Sequence, residues 1–481
     1  MRRDLGALGA REHDLLVVGG GIYGAAAAWD AGQRGLSVAL VERDDFAAGA
    51  SANSLKTIHG GLRHLQGADL ASFRESVRER RALLRIAPAL VRPLAFVAPT
   101  RGHGLSGRLA FRGALAVNDL LSADRNRGVP ADRQVAGGRL LSRPEIEALV
   151  PGLPPARLTG GALWHDAQVE SGERLAVAFV RAATEVGAAV ANHAEALSLI
   201  VEDGRVKGAR VRDPLTAEKL PVRAKMVLNA AGPGMADLLA ASGLASPPAP
   251  LLRARNIVFS TPLPTAVAVG EKSRGRYLFL VPWRGRTLAG TSYEPAGAAH
   301  KNAVRSFLEE LQAVFPWADL QARNVALVHE GLVPGRGGSG GLARSPILRD
   351  HESADGLAGL VSIQGVKYTT ARGVAERGVS LVLRRLGRRA VCRTAETPLV
   401  HARPLEGSLE ERTRAAVQDE MAITLGDAVR RRLDLGTAGP APPAEVAAVE
   451  GVMASLLGWD DERRRAEREA LAGVYASALL E

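Results

Sequence analysis

The chain has 481 residues, of which 46% are hydrophobic and 23% charged; this predicts two or three globular lobes rather than one ordinary domain. A formal charge of +11 favours small anionic ligands or an acidic lipid surface, while 4% aromatics and no recognisable nucleic-acid module argue against nucleic-acid partners. The single cysteine, Cys392, excludes an internal disulfide and a cysteine metal cluster, and the ten scattered histidines show no metal spacing, so no metal site is expected. Apolar runs break well short of a membrane span, and the opening MRRDLGALGAREHD has no apolar core, so neither a membrane helix nor a signal peptide is expected.

In chain order, an apolar strand is predicted at 15–18. It is followed by a G-x-G-x-x-G turn at Gly19, Gly21 and Gly24, a small-residue helix at 25–34, and a second strand at 37–41 ending in Glu42. This is the order of a dinucleotide-binding βαβ unit. The glycines allow the tight turn, the approach of a pyrophosphate and close helix–strand packing. The helix N-terminus offers free N–H groups and a positive dipole end to phosphate. Glu42 would accept hydrogen bonds from a ribose diol. FAD and NAD both remain open on these residues alone.

The loop at 43–61, containing GASANSLKTIHGG, has the turn chemistry of a segment passing close to a cofactor, and 62–90 reads as largely helical, ending at Pro88. The motif S-x-K-x-I-H-G-G-L-R at 54–63 resembles the FAD-dependent glycerol-3-phosphate dehydrogenases and oxidases, part of the wider group related to D-amino-acid oxidase and glycine oxidase. The resemblance continues through most of the chain. Residues 91–155 read as strand and loop, then helix. The stretch 160–200 resembles a strand, a long helix and a return strand, and 201–222 alternates around Asp203-Gly204, a hairpin signal. KMVLNAAGPG at 225–234 resembles the group's second cofactor-facing strand, and 251–292 its substrate-lobe sheet. A helix follows at 303–315, and 356–379 reads as strand, glycine turn and helix closing the FAD site. The tail reads as two or more amphipathic helices around the loop TAGPAPPAEV, like the helical cap of the glycerol-3-phosphate group.

The resemblance implies an α/β fold: a Rossmann-like FAD-binding domain at 12–90, 156–250 and 344–392, a mixed-sheet substrate domain at 91–155 and 251–343, and a C-terminal helical cap at 393–481. It implies FAD held by Gly19, Gly21, Gly24, Glu42, Ser51, Ser54, Lys56, His59, Gly232 and Gly365. Arg63 is the leading anion clamp, because a guanidinium meets phosphate as a planar fork. Lys367 is expected to serve substrate phosphate or the reduced flavin, and Arg344 to join the catalytic set. His64 and His329 are both candidate proton acceptors. The implied reaction is oxidation of sn-glycerol 3-phosphate to dihydroxyacetone phosphate by hydride transfer to flavin N5, with electrons passing to quinone or another acceptor. The protein is expected in the cytoplasm, or peripherally on the inner face of the cell membrane.

Several positions depart from the family pattern. His64 follows G-G-L-R where the family has tyrosine, Arg253-Ala254-Arg255-Asn256 replaces K-G-S-H, Gly290-Thr291-Ser292-Tyr293 replaces G-T-T-D, Val333-Pro334-Gly335 replaces R-P-L, and Gly365-Val366-Lys367 replaces G-G-K. Arg336, on a glycine-rich loop, is the candidate to replace the arginine missing at Val333. These departures leave open a different anionic hydroxy compound or amine as substrate, or a flavin-binding protein without catalysis.

Overall fold

The computed structural model describes residues 1–102, 107–244, 250–297, 300–336 and 341–476. Most of the glycine-rich loop around Arg336, residues 337–340, lies outside the described residues.

The opening strand, His13–Val18, is buried along its whole length. Leu15 and Val17 enter one core cluster while Leu16 and Val18 enter another, on the opposite face of the sheet. That two-sided burial explains the unbroken LLVV run, which a strand with one wet face would not carry. The strand pairs in parallel with Val38–Val41 on one side and Lys219–Asn229 on the other. Leu360–Gln364 and Ala189–Ala191 extend the parallel sheet at its two ends. The helices Ile22–Gln33, Gly172–Glu185 and Ala371–Arg385 cover one face. A hairpin, Glu195–Glu202 with Arg205–Arg212, and short helices cover the other. The hairpin turns at Asp203 and Gly204 with φ of 52° and 70°, the left-handed pair that Asp-Gly favours.

The second sheet has nine strands in the order Val325–Pro334, Leu251–Phe259, Arg286–Pro295, Arg276–Trp283, Ala268–Ser273, Val91–Arg101, Leu158–Val169 and Thr57–Ile58, with Arg139–Leu141 paired to Leu158–Val169. The helix His300–Val314 contributes to one core cluster on this sheet through Val304, Leu308 and Leu311. In another, Trp283, Leu288 and Leu327 of the sheet meet Leu425, Val429 and Met453 of the C-terminal helices.

Three expectations change. The boundary expected at 156 moves past Val169, because Leu158–Val169 pairs antiparallel with Val91–Arg101 and so belongs to the second sheet. The helix expected across 62–90 is two pieces: a 3-10 segment Leu62–Gly67, then Leu70–Ile86 restarted by Asp69, whose side chain accepts from Ser72 N–H at 3.0 Å. In the tail, Leu409–Gln418, a π-helical turn Asp427–Arg432, Pro443–Leu457 and Asp461–Ala476 replace the expected helices. Pro442-Pro443 starts a helix inside the expected loop, since proline tolerates a first helical turn, and Gly458 ends that helix with φ of 67°.

Candidate active site

The parallel strands of the first sheet end on one edge, where an open α/β sheet binds its ligand. Gly19 turns the chain there with φ of 107°, and a Cβ on it would lie 2.5 Å from the Ala230 carbonyl oxygen. A Cβ on Gly24 would lie 1.9 Å from the Gly19 carbonyl oxygen, so helix and strand touch there only because residue 24 is glycine. Glu42 accepts from Gly20 N–H at 2.6 Å and from Asp44 N–H at 2.9 Å. One hydrogen bond on each oxygen fixes the carboxylate and leaves lone pairs for a diol. The helix Ile22–Gln33 has no cap of its own at Gly21; Ser51 caps it from the following loop, accepting from Ile22 N–H at 3.0 Å. Across the edge, Gly232 has φ of 55° with open space where a side chain would stand, and its carbonyl accepts from Gln364 Nε2 at 3.0 Å. The glycine cradle, the anchored carboxylate and the helix N-terminus fit the diphosphate and ribose of FAD.

Lys56 is placed differently from the expectation. Its Nζ is fully buried and donates to Ala52 O at 2.6 Å and to both oxygens of Glu173, at 3.0 and 2.9 Å, so it is an internal ion pair. It also lies 5.2 Å from the centroid of the Trp283 ring. The Ser54 hydroxyl turns back on its own loop, accepting from Lys56 N–H at 3.2 Å. His329 is buried and pairs its Nε2 with Thr437 O at 2.8 Å. Burial, then the Lys56 charge, push its pKa down to about 3; its engaged Nε2 and its place in the core set it apart from His64, which is only partly buried.

The chemistry gathers where the loop 57–64 meets the turn 365–370. His59 N–H donates to Thr369 Oγ1 at 3.0 Å, and His59 Nδ1 stands 3.8 Å from Asp166. Tyr23, from the first turn of the glycine-turn helix, packs on Gly365 so closely that a Cβ there would lie 1.6 Å from its Cζ. Its hydroxyl donates to Lys367 O at 2.5 Å and accepts from Lys367 N–H at 3.3 Å. The turn thereby holds Lys367 Nζ 2.6 Å from His64 Nε2.

The electrostatics of this pair follow from its neighbours. Burial, then the Arg63 charge, bring Lys367 down to about 8, against the pull of Glu75 and Asp69. Burial, then Lys367 and Arg63, hold His64 at about 4. At neutral pH the lysine is mostly a cation and the imidazole a neutral acceptor at Nε2. Arg63 is exposed. Its charge also acts on Tyr293 of the strand Arg286–Pro295, whose phenol burial pushes up.

Arg63, His64, His59 and Lys367 are therefore brought together from positions about 300 residues apart. Tyr23, Asp69 and Tyr293 join them and were not named as site residues from sequence; for Tyr293 the available signal was its place in Gly290-Thr291-Ser292-Tyr293, a departure from the family's G-T-T-D. The arginines at the departures, and Arg336, the expected substitute for the missing clamp, are engaged elsewhere. Arg255 is fully buried against Glu330 and Glu294, and Arg253 donates to Glu330 and to Ala296 O. Arg336 Nε donates to Leu342 O at 3.0 Å, while Arg344 is exposed. Asn256 joins the lobes, donating to Asn53 O at 3.0 Å and accepting from Thr291 Oγ1 at 2.7 Å. A cavity of about 590 Å³ lies along the helix Leu70–Ile86, lined by Arg74, Glu75, Arg78 and Arg377 among others. Arg63, His64 and Lys367 are not in its lining, so the site is defined by converging side chains rather than by cavity size.

The family model described as DAO, FAD dependent oxidoreductase, matches residues 14–381. A glycerol-3-phosphate dehydrogenase of Synechocystis sp. is 32% identical over 424 residues, covering 83% of this chain and 75% of the relative. The mitochondrial glycerol-3-phosphate dehydrogenase of Homo sapiens is 31% identical over 401 residues, 78% of this chain; the chain spans about half of that protein's length, 53%. The structure of a glycerol-3-phosphate dehydrogenase from Bacillus halodurans complexed with FAD superposes with a TM-score of 0.75, covering 99% of this chain and 97% of that one at 22% identity. The glycine cradle, the closing turn at Gly365 and these likenesses agree: the chain belongs to the FAD dependent oxidoreductase family.

Proposed function

We propose that this chain oxidises sn-glycerol 3-phosphate to dihydroxyacetone phosphate and passes the electrons to a quinone. The observation that carries the reading is the Lys367–His64 contact of 2.6 Å with the exposed Arg63 beside it, at the turn that closes the FAD edge. Bound FAD supplies the N5 position that accepts a hydride from the carbinol carbon. Arg63 and Lys367 provide the positive pair for a phosphate dianion. A phosphate that takes the Lys367 donor frees His64 Nε2 for the substrate hydroxyl proton. The same dianion cancels the two charges that help hold His64 down, so its basicity rises when substrate binds. Relatives named as glycerol-3-phosphate dehydrogenases support the substrate.

Anaerobic addition of sn-glycerol 3-phosphate to the FAD-loaded protein tests this. Bleaching of the flavin absorbance is expected; an unchanged oxidised spectrum would remove the substrate assignment. One observation favours a second reading on the same site. Arg253 and Arg255 are engaged by Glu330 and Glu294, and Val333 supplies no charge, so the clamp is narrower than the resemblance implies. A smaller anionic hydroxy compound suits Arg63 and Lys367 alone, and a panel of hydroxy acids in the same experiment separates the readings.

We place the protein in the cytoplasm or peripherally on the inner membrane face. The formal charge of +11 supports the membrane contact, and no helix among the described residues is long and apolar enough to cross a membrane. Sedimentation with anionic vesicles at low and high salt checks it: salt-sensitive binding is expected, and no binding at low salt would remove the membrane contact.

A further inference from the structure

The C-terminal helices reach the cofactor loop through buried charge. Asp45 stands three residues beyond Glu42 and is 1% exposed. Arg432, from the π-helical turn Asp427–Arg432, grips it with both terminal nitrogens, Nη1 to Oδ2 at 2.8 Å and Nη2 to Oδ1 at 2.7 Å. Arg431 Nε donates to the same Oδ2 at 2.5 Å, and Asn192 Nδ2 to Oδ1 at 2.8 Å. Arg431 also donates to Asp427, which pairs with His193 at 2.9 Å. Asp45, His193 and Asp427 have the atom types and spacing of a small metal cluster. Two guanidinium groups already occupy the carboxylates, so the cluster reads as a clamp.

The clamp is linked to the glycine turn through Phe46 and Ala47, which follow Asp45 and meet Gly20. The Arg432 guanidinium lies 6.0 Å from the centroid of Phe46. Phe46 packs against Gly20 so tightly that a Cβ there would come within 2.7 Å of its ring. Ala47 N–H donates to Gly20 O at 3.1 Å, and Gly20 N–H donates to Glu42. We infer that Arg432, with Arg431, is a positioning residue for FAD: the docked cap holds Asp45 and Phe46, and these hold Gly20 and Glu42 in the shape that receives the cofactor. Removing Arg432 leaves a buried carboxylate short of its partner, which the loop relieves only by moving. Binding free energies are reciprocal, so FAD must in turn tighten the cap.

The test compares Arg432→Gln and Arg432→Lys with Met453→Ala, a core truncation within the cap in a cluster separate from that of Phe46. FAD affinity is read by fluorescence quenching on reconstitution of the apoprotein, and cap order by hydrogen exchange across 425–433. Arg432→Gln is expected to raise the FAD Kd at least about tenfold and Arg432→Lys to recover part of the loss. Met453→Ala should lower the melting temperature while leaving Kd within about threefold. These folds follow from the cost to a buried carboxylate that keeps Arg431 and Asn192 but loses its bidentate partner, set against an ordinary core truncation. In the native protein FAD should slow exchange across 425–433. A Kd for Arg432→Gln within threefold of the native value, or an equal rise with Met453→Ala, would overturn the assignment. Should Arg432→Gln not fold, native exchange across 425–433 that is indifferent to FAD overturns it as well.

Discussion

Replacing Lys367 by methionine separates binding from stability. A lysine ordinarily near 10.5 that is brought down to about 8 carries a penalty on its charged form. At about 1.4 kcal/mol per pH unit this is about 3 kcal/mol, and partial exposure of the side chain reduces it to about 2 kcal/mol. The unfolded chain binds the proton more tightly than the folded one. The penalty is therefore full below about pH 8 and disappears as pH rises past 10.5. Lys367→Met removes it, and loses the hydrogen bond to His64, worth about 1 kcal/mol. The variant should be more stable at pH 7 by about 1 kcal/mol, a rise of roughly 2 °C in the melting temperature of the FAD-saturated protein, and the gain should vanish by about pH 10.5. Losing one charge-assisted bond to phosphate costs about 1.5–3 kcal/mol, or roughly 10- to 150-fold in KM. Differential scanning fluorimetry and anaerobic stopped-flow reduction measure the two effects. A fall in melting temperature at pH 7, or an unchanged KM with a collapsed kcat, would refute the reasoning.

The pH profile of kcat/KM should fall above about 8 as Lys367 loses its charge; a profile flat to pH 9.5 would show that the lysine's charge is not used in binding. Gly365→Ala places a methyl 1.6 Å from Tyr23 Cζ and should abolish flavin reduction, with Tyr23→Ala in the same chain restoring part of it; no rescue would mean that Tyr23 is not the obstacle. Lys56→Met strands Glu173 in the core and should cost about 3–5 kcal/mol, while Lys56→Met with Glu173→Leu should cost markedly less. Chemical denaturation of the three proteins decides this, and equal losses would dissolve the ion-pair account. Glu42→Ala removes the anchored carboxylate and should raise the FAD Kd by roughly 10- to 100-fold, read by the same quenching assay.

The FAD edge was legible because its requirements are local. Gly19, Gly21, Gly24 and Glu42 sit within one short βαβ unit, and each answers a steric or hydrogen-bonding need that only a few residue types meet. Lys56 shows the limit: nothing in the loop announces that its partner is Glu173, because an ion pair between segments 117 positions apart leaves no local pattern. His64 was visible only as a departure from a family motif, and its contact with Lys367 depends on how two distant turns close. The strand Leu158–Val169 was assigned to the wrong lobe for a similar reason, since alternation identifies a strand and not the sheet it joins. The cap was legible as helical but not in its breaks: the turn at Asp427–Arg432 meets Asp45 on the cofactor loop, a partner 387 positions from Arg432 that leaves no local pattern.

The nine-stranded sheet is assembled from separated parts of the chain. It takes Thr57–Ile58 from within the cofactor loop, Val91–Arg101 and Leu158–Val169 from one excursion, and the remaining long strands from another. The substrate side is thus no cassette. Exchanging it with a relative to change specificity means replacing several inserts at once, and the smallest, Thr57–Ile58, lies between Ser54 and His64 on a segment that also serves the cofactor. Recombination of this chain should succeed only at crossover points that move the loop at 50–64 together with both excursions, and point changes around His64 and Tyr293 offer the shorter route to a new substrate.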